Sequence, residues 1–227
     1  MKFAVKVVMV DLDGTLIHTA PEIAVAANEM LKALDFAPLH LELVESFIGE
    51  GAPMLVKRCL ATTLGLNTTL GAEPAADLFE RAERLFFEHY ANNAHQSLPY
   101  AGVQDGLQTL SDAGFRLACV TNKPEKFTLP LLQHSGLHNF FEMVVSGDTL
   151  AKKKPDPIQL QHICAEFEVL TMEAVLVGDS ATDIAAAHAA GCFIITVPYG
   201  YNQGKSLDVS KVDATINDLT ELTALLE

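Results

Sequence analysis

At 227 residues, 49% of them hydrophobic, the chain is long enough to bury a substantial core, and its length fits one large domain or a domain with a smaller insertion. That apolar content excludes a disordered chain. A formal net charge of -14 excludes a nucleic-acid surface, which needs clustered Lys and Arg rather than a general acidic excess.

The first element expected is a buried strand over the apolar run Val5 to Val10. Lys2 and Lys6 flank apolar residues here, but the run ends at Asp11, too early for a signal-peptide core, and no small-residue cleavage site follows. No stretch approaches the length of a transmembrane helix. The cysteines Cys59, Cys119, Cys164 and Cys192 form no C-x-x-C pair and lie in apolar surroundings, as buried thiols in a reducing cytosol would. The expectation is a cytoplasmic protein with no membrane partner.

Directly after the strand stands Asp11-Leu12-Asp13-Gly14-Thr15-Leu16, two carboxylates one residue apart with a glycine suited to a tight turn. The segment from about Leu16 to Asn93 reads almost entirely as helix. Ile23, Ala27, Met30, Leu31 and Leu34 share one helical face, and Leu78, Phe79, Ala82, Leu85, Phe86 and His89 share another, enough to pack a small bundle of their own. Pro99 to Gly102 reads as a return linker, with a helix starting near Val103. Beyond it, strand-like runs at Leu117 to Thr121, Met143 to Ser146, Ala174 to Gly178 and Phe193 to Val197 alternate with helical patterns, the signature of an α/β fold with a Rossmann-like parallel sheet and helices on both faces. The tail from Ala214 to Glu227 reads as a short strand and a final helix.

Ligands of such sheets collect at the carboxyl ends of the strands. Asp11, Thr121 and Asp179 fall there, and Asp183 lies roughly one helical turn beyond Asp179. Convergent carboxylates suit an octahedral, oxygen-seeking cation such as Mg²⁺, held by one or two carboxylates plus water and substrate phosphate, so the site implies a phosphoryl ligand. Taken singly, each feature has a plainer reading: Gly178-Asp179-Ser180 and Thr121-Asn122 as helix N-caps, Lys152-Lys153-Lys154 as a solvated basic patch. The eight histidines are scattered with no zinc-type spacing, and His89 is expected to be a packed residue.

Taken together, Asp11 to Thr15, Thr121 with Asn122, Lys154 before Pro155, and Gly178-Asp179 with Asp183 resemble the four ordered motifs of the haloacid dehalogenase superfamily. The resemblance covers essentially the whole chain. It implies Asp11 as the nucleophile forming an aspartyl-phosphate, and Asp13 as general acid and base whose backbone carbonyl also binds the metal. It further implies Thr121 and Asn122 as hydrogen-bond donors to the phosphoryl oxygens, Lys154 as the lysine serving phosphate and nucleophile, Asp179 as a further Mg²⁺ ligand, and Asp183 as support behind the ligands. An all-helical insertion after the first motif resembles the superfamily's first class of cap, which implies core residues 1–15, a cap over 16–93 and a second core segment over 94–227.

Within the cap, Phe47-Ile48-Gly49-Glu50-Gly51-Ala52 followed by Arg58 resembles phosphoglycolate phosphatases, where Arg58 would bind the substrate's carboxylate bidentately. Glu50 stands where that family commonly has Asn, and His18 where relatives usually carry Asp. The expected partner is a small phosphorylated metabolite, 2-phosphoglycolate first, for a monomer or homodimer. Sugar phosphates, nucleotides or pyrophosphate come next, then a β-phosphoglucomutase-like mutase, then a non-catalytic phosphate-binding module.

Overall fold

The structure is a computed structural model that describes residues 2–67, 71–94 and 96–227. Among these residues one parallel sheet is built from β1 (Val7–Val10), β4 (Arg116–Val120), β5 (Met143–Val145), β6 (Ala174–Gly178), β7 (Phe193–Thr196) and β8 (Ala214–Thr215), in the order β5-β4-β1-β6-β7-β8. β1 sits near the middle, pairing Val10 with Cys119 on one side and with Val177 on the other. All four of its residues are buried, because successive side chains enter opposite layers. Val8 and Val10 join the layer formed with α5 (Val103–Asp112) and α6 (Glu125–His134), whereas Val7 and Met9 join that of α7 (Ile158–Glu166) and α8 (Ala181–Ala190). The α/β architecture expected from the alternating runs is therefore present, with helices on both faces.

The inserted helical cap contains α1 (Ala20–Ala33), α2 (Leu41–Glu45), α3 (Ala52–Thr63) and α4 (Ala76–Asn93). The face Ile23, Ala27, Met30, Leu31 and Leu34 is buried against Ala82 and Phe86 of α4 in a second apolar cluster, with Leu78, Phe79 and Leu85 at its margin. Phe127 of α6 and Tyr201 belong to the same cluster, so the cap is packed onto the core by contributions from both. Tyr201 Oη accepts hydrogen bonds from the backbone N–H groups of Thr19 and Ala20 at 2.8 and 2.9 Å, satisfying donors that the first turn of α1 leaves open.

One feature departs from the sequence expectation. The chain enters and leaves the cap through a short antiparallel ribbon, β2 (Ile17–His18) paired with β3 (Leu98–Pro99), where helix and linker were expected. Pairing across 81 residues of intervening chain leaves no local periodicity to find. The short strand and final helix expected in the tail are both present, the helix as a 3-10 helix over Leu219–Leu225. Leu219, Leu222 and Leu225 recur every third residue, which aligns them on one side of a three-residue turn and onto the core. Gly106 of α5 lies so close to Leu219 that an added Cβ would come within 2.6 Å of it, and this tight contact holds the tail in place.

Candidate active site

The carboxyl ends of β1, β4 and β6 lie side by side, and each is followed at once by a polar residue: Asp11, Thr121 and Asp179. Carboxylate oxygens of Asp11, Asp179 and Asp183 all lie within 4.8 Å of one another, and all three residues are buried. Gly14 makes the turn after β1 at φ +87°, and a Cβ there would lie 2.5 Å from Asp179 Oδ2. Only glycine both adopts that backbone and leaves the space. Thr15 Oγ1 donates to Asp179 Oδ1 at 3.0 Å, and the backbone N–H of Tyr201 donates to Oδ2 at 2.7 Å, so the first turn and a distant loop together aim Asp179.

Asp183 is placed by local chemistry. Ser180 caps α8, accepting from the Asp183 N–H, while Asp183 Oδ2 accepts from the Ser180 N–H at 3.1 Å and its hydroxyl at 2.6 Å, a reciprocal capping box. The other oxygen, Oδ1, receives Lys154 Nζ at 2.7 Å. The same ammonium stands 2.8 Å from Asp11 Oδ1 and donates to the Val120 carbonyl at 2.9 Å.

Three buried carboxylates against one ammonium leave an excess of negative charge. Burial pushes the Asp11 carboxyl well above the ordinary carboxylate range; Lys154 opposes the shift, and Asp183 and Asp179 add to it. Burial, then the Asp183 charge, push Asp179 up to about 7, against the hydrogen bonds from Tyr201 and Thr15. Burial alone would disfavour the Lys154 ammonium, but Asp11 and Asp183 outweigh it and hold the group above the ordinary lysine value. Hard oxygen donors, close together and short of positive charge, fit a divalent oxygen-seeking cation.

Of the other residues picked out in sequence, Thr121 is buried, and its Oγ1 accepts from the Lys123 N–H at 3.1 Å. Asn122 spends its side-chain amide on the carbonyls of Gly49 in the cap at 2.9 Å and Lys154 at 2.8 Å, so it ties the cap loop to the core. Arg58 is away from this centre. It pairs with Glu50, donates to the Phe47 carbonyl, and faces a depression shared with Met54, Lys57 and Ala61.

Between the core motifs and the cap lies a cavity of about 50 Å³. Asp11, Asp13, Thr121 and Asn122 line its core side; Phe86, Phe87, Ile48 and Leu55 line its cap side. Two further lining residues were not foreseen. Lys123, buried after β4, lies 2.9 Å from Asp13 Oδ1 and donates to Tyr90 Oη at 2.6 Å. Burial works against its charge, but Asp13 and Tyr90 together hold its pKa above the ordinary lysine value. Adjacency to Thr121-Asn122 was the available signal for Lys123. Tyr90 carried none, since it falls four residues after Phe86 on a face that reads as core.

Comparison with known proteins agrees with this geometry. The sequence model of the haloacid dehalogenase-like hydrolases matches residues 8–197. A phosphoglycolate phosphatase of Nitrosospira multiformis is 48% identical over 98% of this chain and 96% of its own length. One from Thiobacillus denitrificans is 43% identical over the same shares. The crystal structure of a predicted phosphoglycolate phosphatase from Haemophilus somnus 129PT superposes with a TM-score of 0.90 at 32% identity, covering 97% of both chains.

Proposed function

The chain belongs to the haloacid dehalogenase-like hydrolase family, and on that premise we propose that it hydrolyses 2-phosphoglycolate to glycolate and phosphate, with Mg²⁺ as its cation. The observation that carries this reading is the convergence of Asp11, Asp13 and Thr121 on one small cavity beneath the cap, with Lys154 and Asp179 holding Asp11's surroundings. The enclosed part of the cavity, about 50 Å³, is small, which supports a compact ester.

In the proposed mechanism an Asp11 carboxylate oxygen attacks phosphorus and the ester P–O bond breaks, leaving an aspartyl-phosphate. Asp13 gives its proton to the departing alkoxide oxygen, then takes one from the water that cleaves the aspartyl-phosphate. Thr121 Oγ1 and the backbone N–H of Asn122 donate to the phosphoryl oxygens, the Asn122 amide being occupied elsewhere. Lys154 keeps Asp11 oriented and balances its charge. Asp11, Asp179 and the Asp13 carbonyl would hold Mg²⁺, with Asp183 steadying the set through Lys154 and Ser180. When bound, Mg²⁺ supplies orientation and charge neutralisation for the phosphoryl group.

The ribbon β2–β3 lies at the passage between core and cap, which supports domain limits near residues 16 and 94. No described helix is long and apolar enough to cross a membrane. We propose that the chain works in the cytoplasm as a monomer or homodimer; its described thiols are free and buried, as in a reducing compartment.

The test is phosphate release from 2-phosphoglycolate, β-glucose 1-phosphate, a nucleoside monophosphate and pyrophosphate, with Mg²⁺ and with EDTA. We expect 2-phosphoglycolate to lead in kcat/KM, EDTA to abolish turnover, and Asp11→Asn to be inactive while folded. Another ester in the lead would overturn the substrate, and full activity in Asp11→Asn would overturn the nucleophile.

A further inference from the structure

The cavity is charged at one end and apolar at the other, and among the described residues lining it Lys123 alone carries a cationic side chain. Lys154 is occupied behind Asp11 by two carboxylates and the Val120 carbonyl. Arg58 is held by Glu50 outside the lining. Lys123 is 96% buried at its side chain, and Asp13 and Tyr90 hold its charge there while it still lines the cavity.

Its position is informative. Asp13 must lie within hydrogen-bond reach of the ester oxygen to serve the leaving group. Lys123 Nζ is 2.9 Å from Asp13 Oδ1, so a group one methylene removed from that oxygen falls beside the ammonium. Tyr90 Oη, from the cap, fixes Nζ from the other side at 2.6 Å. The side chains of Phe86, Phe87, Phe127, Ile23 and Leu55 make the cap side of the cavity apolar and add no hydrogen-bond partner for the hydroxyls of a polyol.

Resting on the reading that this site hydrolyses a phosphorylated carboxylate, the geometry points to Lys123, steadied by Tyr90, as the residue that receives the substrate's carboxylate and so selects short phosphorylated acids. The cap contributes to specificity through Tyr90, which meets Lys123 when α4 lies over the loop after β4.

A substrate-and-enzyme cycle tests this. The probes are 2-phosphoglycolate and its carboxamide, nearly equal in size and differing in that one charge. The readout is the ratio of their kcat/KM values in wild type, Lys123→Met and Lys123→Arg with Mg²⁺. Wild type should favour the acid by roughly 10- to 100-fold, the range of a hydrogen bond to a charged group, with the difference mainly in KM. Lys123→Met should bring the ratio to within about threefold of unity, and Lys123→Arg, which keeps a cation, should retain the preference. A Lys123→Met enzyme that still favours the acid tenfold overturns this inference and leaves the phosphoglycolate reading intact. A wild type that hydrolyses both probes equally well overturns it too, without any substitution that might fail to fold. A wild type that hydrolyses neither probe overturns the substrate reading itself.

Discussion

Replacing Lys154 with Met removes the one ammonium lying between Asp11 and Asp183, at 2.8 and 2.7 Å, with a side chain only 2% exposed. Breaking a buried pair by deleting one partner typically costs about 3–5 kcal/mol, because an uncompensated charge is left behind. Unfolding entropy near 2.1 cal/mol/K per residue converts that to a fall in Tm of about 6–10 °C for a chain of this size. Lys154's own pKa is raised, so its contribution is complete at neutral pH and is lost only in strong alkali as pH passes the folded value. Any change in the deficit between pH 7.5 and 5 therefore comes from the carboxylates. Asp11 is already pushed up by burial, and without Lys154 it protonates more readily, so the deficit should shrink on acidification. The assay is thermal unfolding of both proteins in EDTA at pH 7.5 and 5, followed by circular dichroism. A Tm loss under 2 °C at pH 7.5, or a loss that grows as pH falls, would refute the reasoning.

Further outcomes follow from the same centre. Asp179 is raised to about 7, above its unfolded value, so in the metal-free protein stability falls as pH rises between those values, its ionised form being the disfavoured one. A divalent cation needs that ionised form, and Asp11 must lose its proton as well, so the Mg²⁺ concentration giving half-maximal Tm stabilisation should rise by at least about tenfold per pH unit below 7; a flat dependence from pH 5.5 to 7 would count against it. Gly14→Ala must accept φ +87° and a Cβ 2.5 Å from Asp179 Oδ2. It should lose about 1–3 kcal/mol of stability and most activity, measured by urea unfolding and phosphate release.

The parts of the centre legible along the chain are those whose signals are local. Asp11 and Asp179 end apolar runs, a pattern set by burial of both strand faces, and Asp183 follows at the spacing of one helical turn. The parts that were not legible depend on contacts between distant residues. Lys123 meets Asp13 across 110 positions, and the ribbon joins Ile17 to Pro99. Arg58, which the sequence suggested for the substrate's carboxylate, is engaged by Glu50 from the loop before α3, a contact no sequence pattern announced. The tail's final helix was legible, but leucines every three or four residues serve an α-helix and a 3-10 helix alike, so its three-residue turn was not.

The chemistry of this protein was therefore written in short segments, because strand burial, turn glycines and capping residues act on near neighbours. The tertiary structure decided which lysine faces the nucleophile and which faces the cavity. It also decided that the cap reaches the charged end of that cavity through Tyr90, since the direction of a charged side chain is set by whatever the fold brings opposite it.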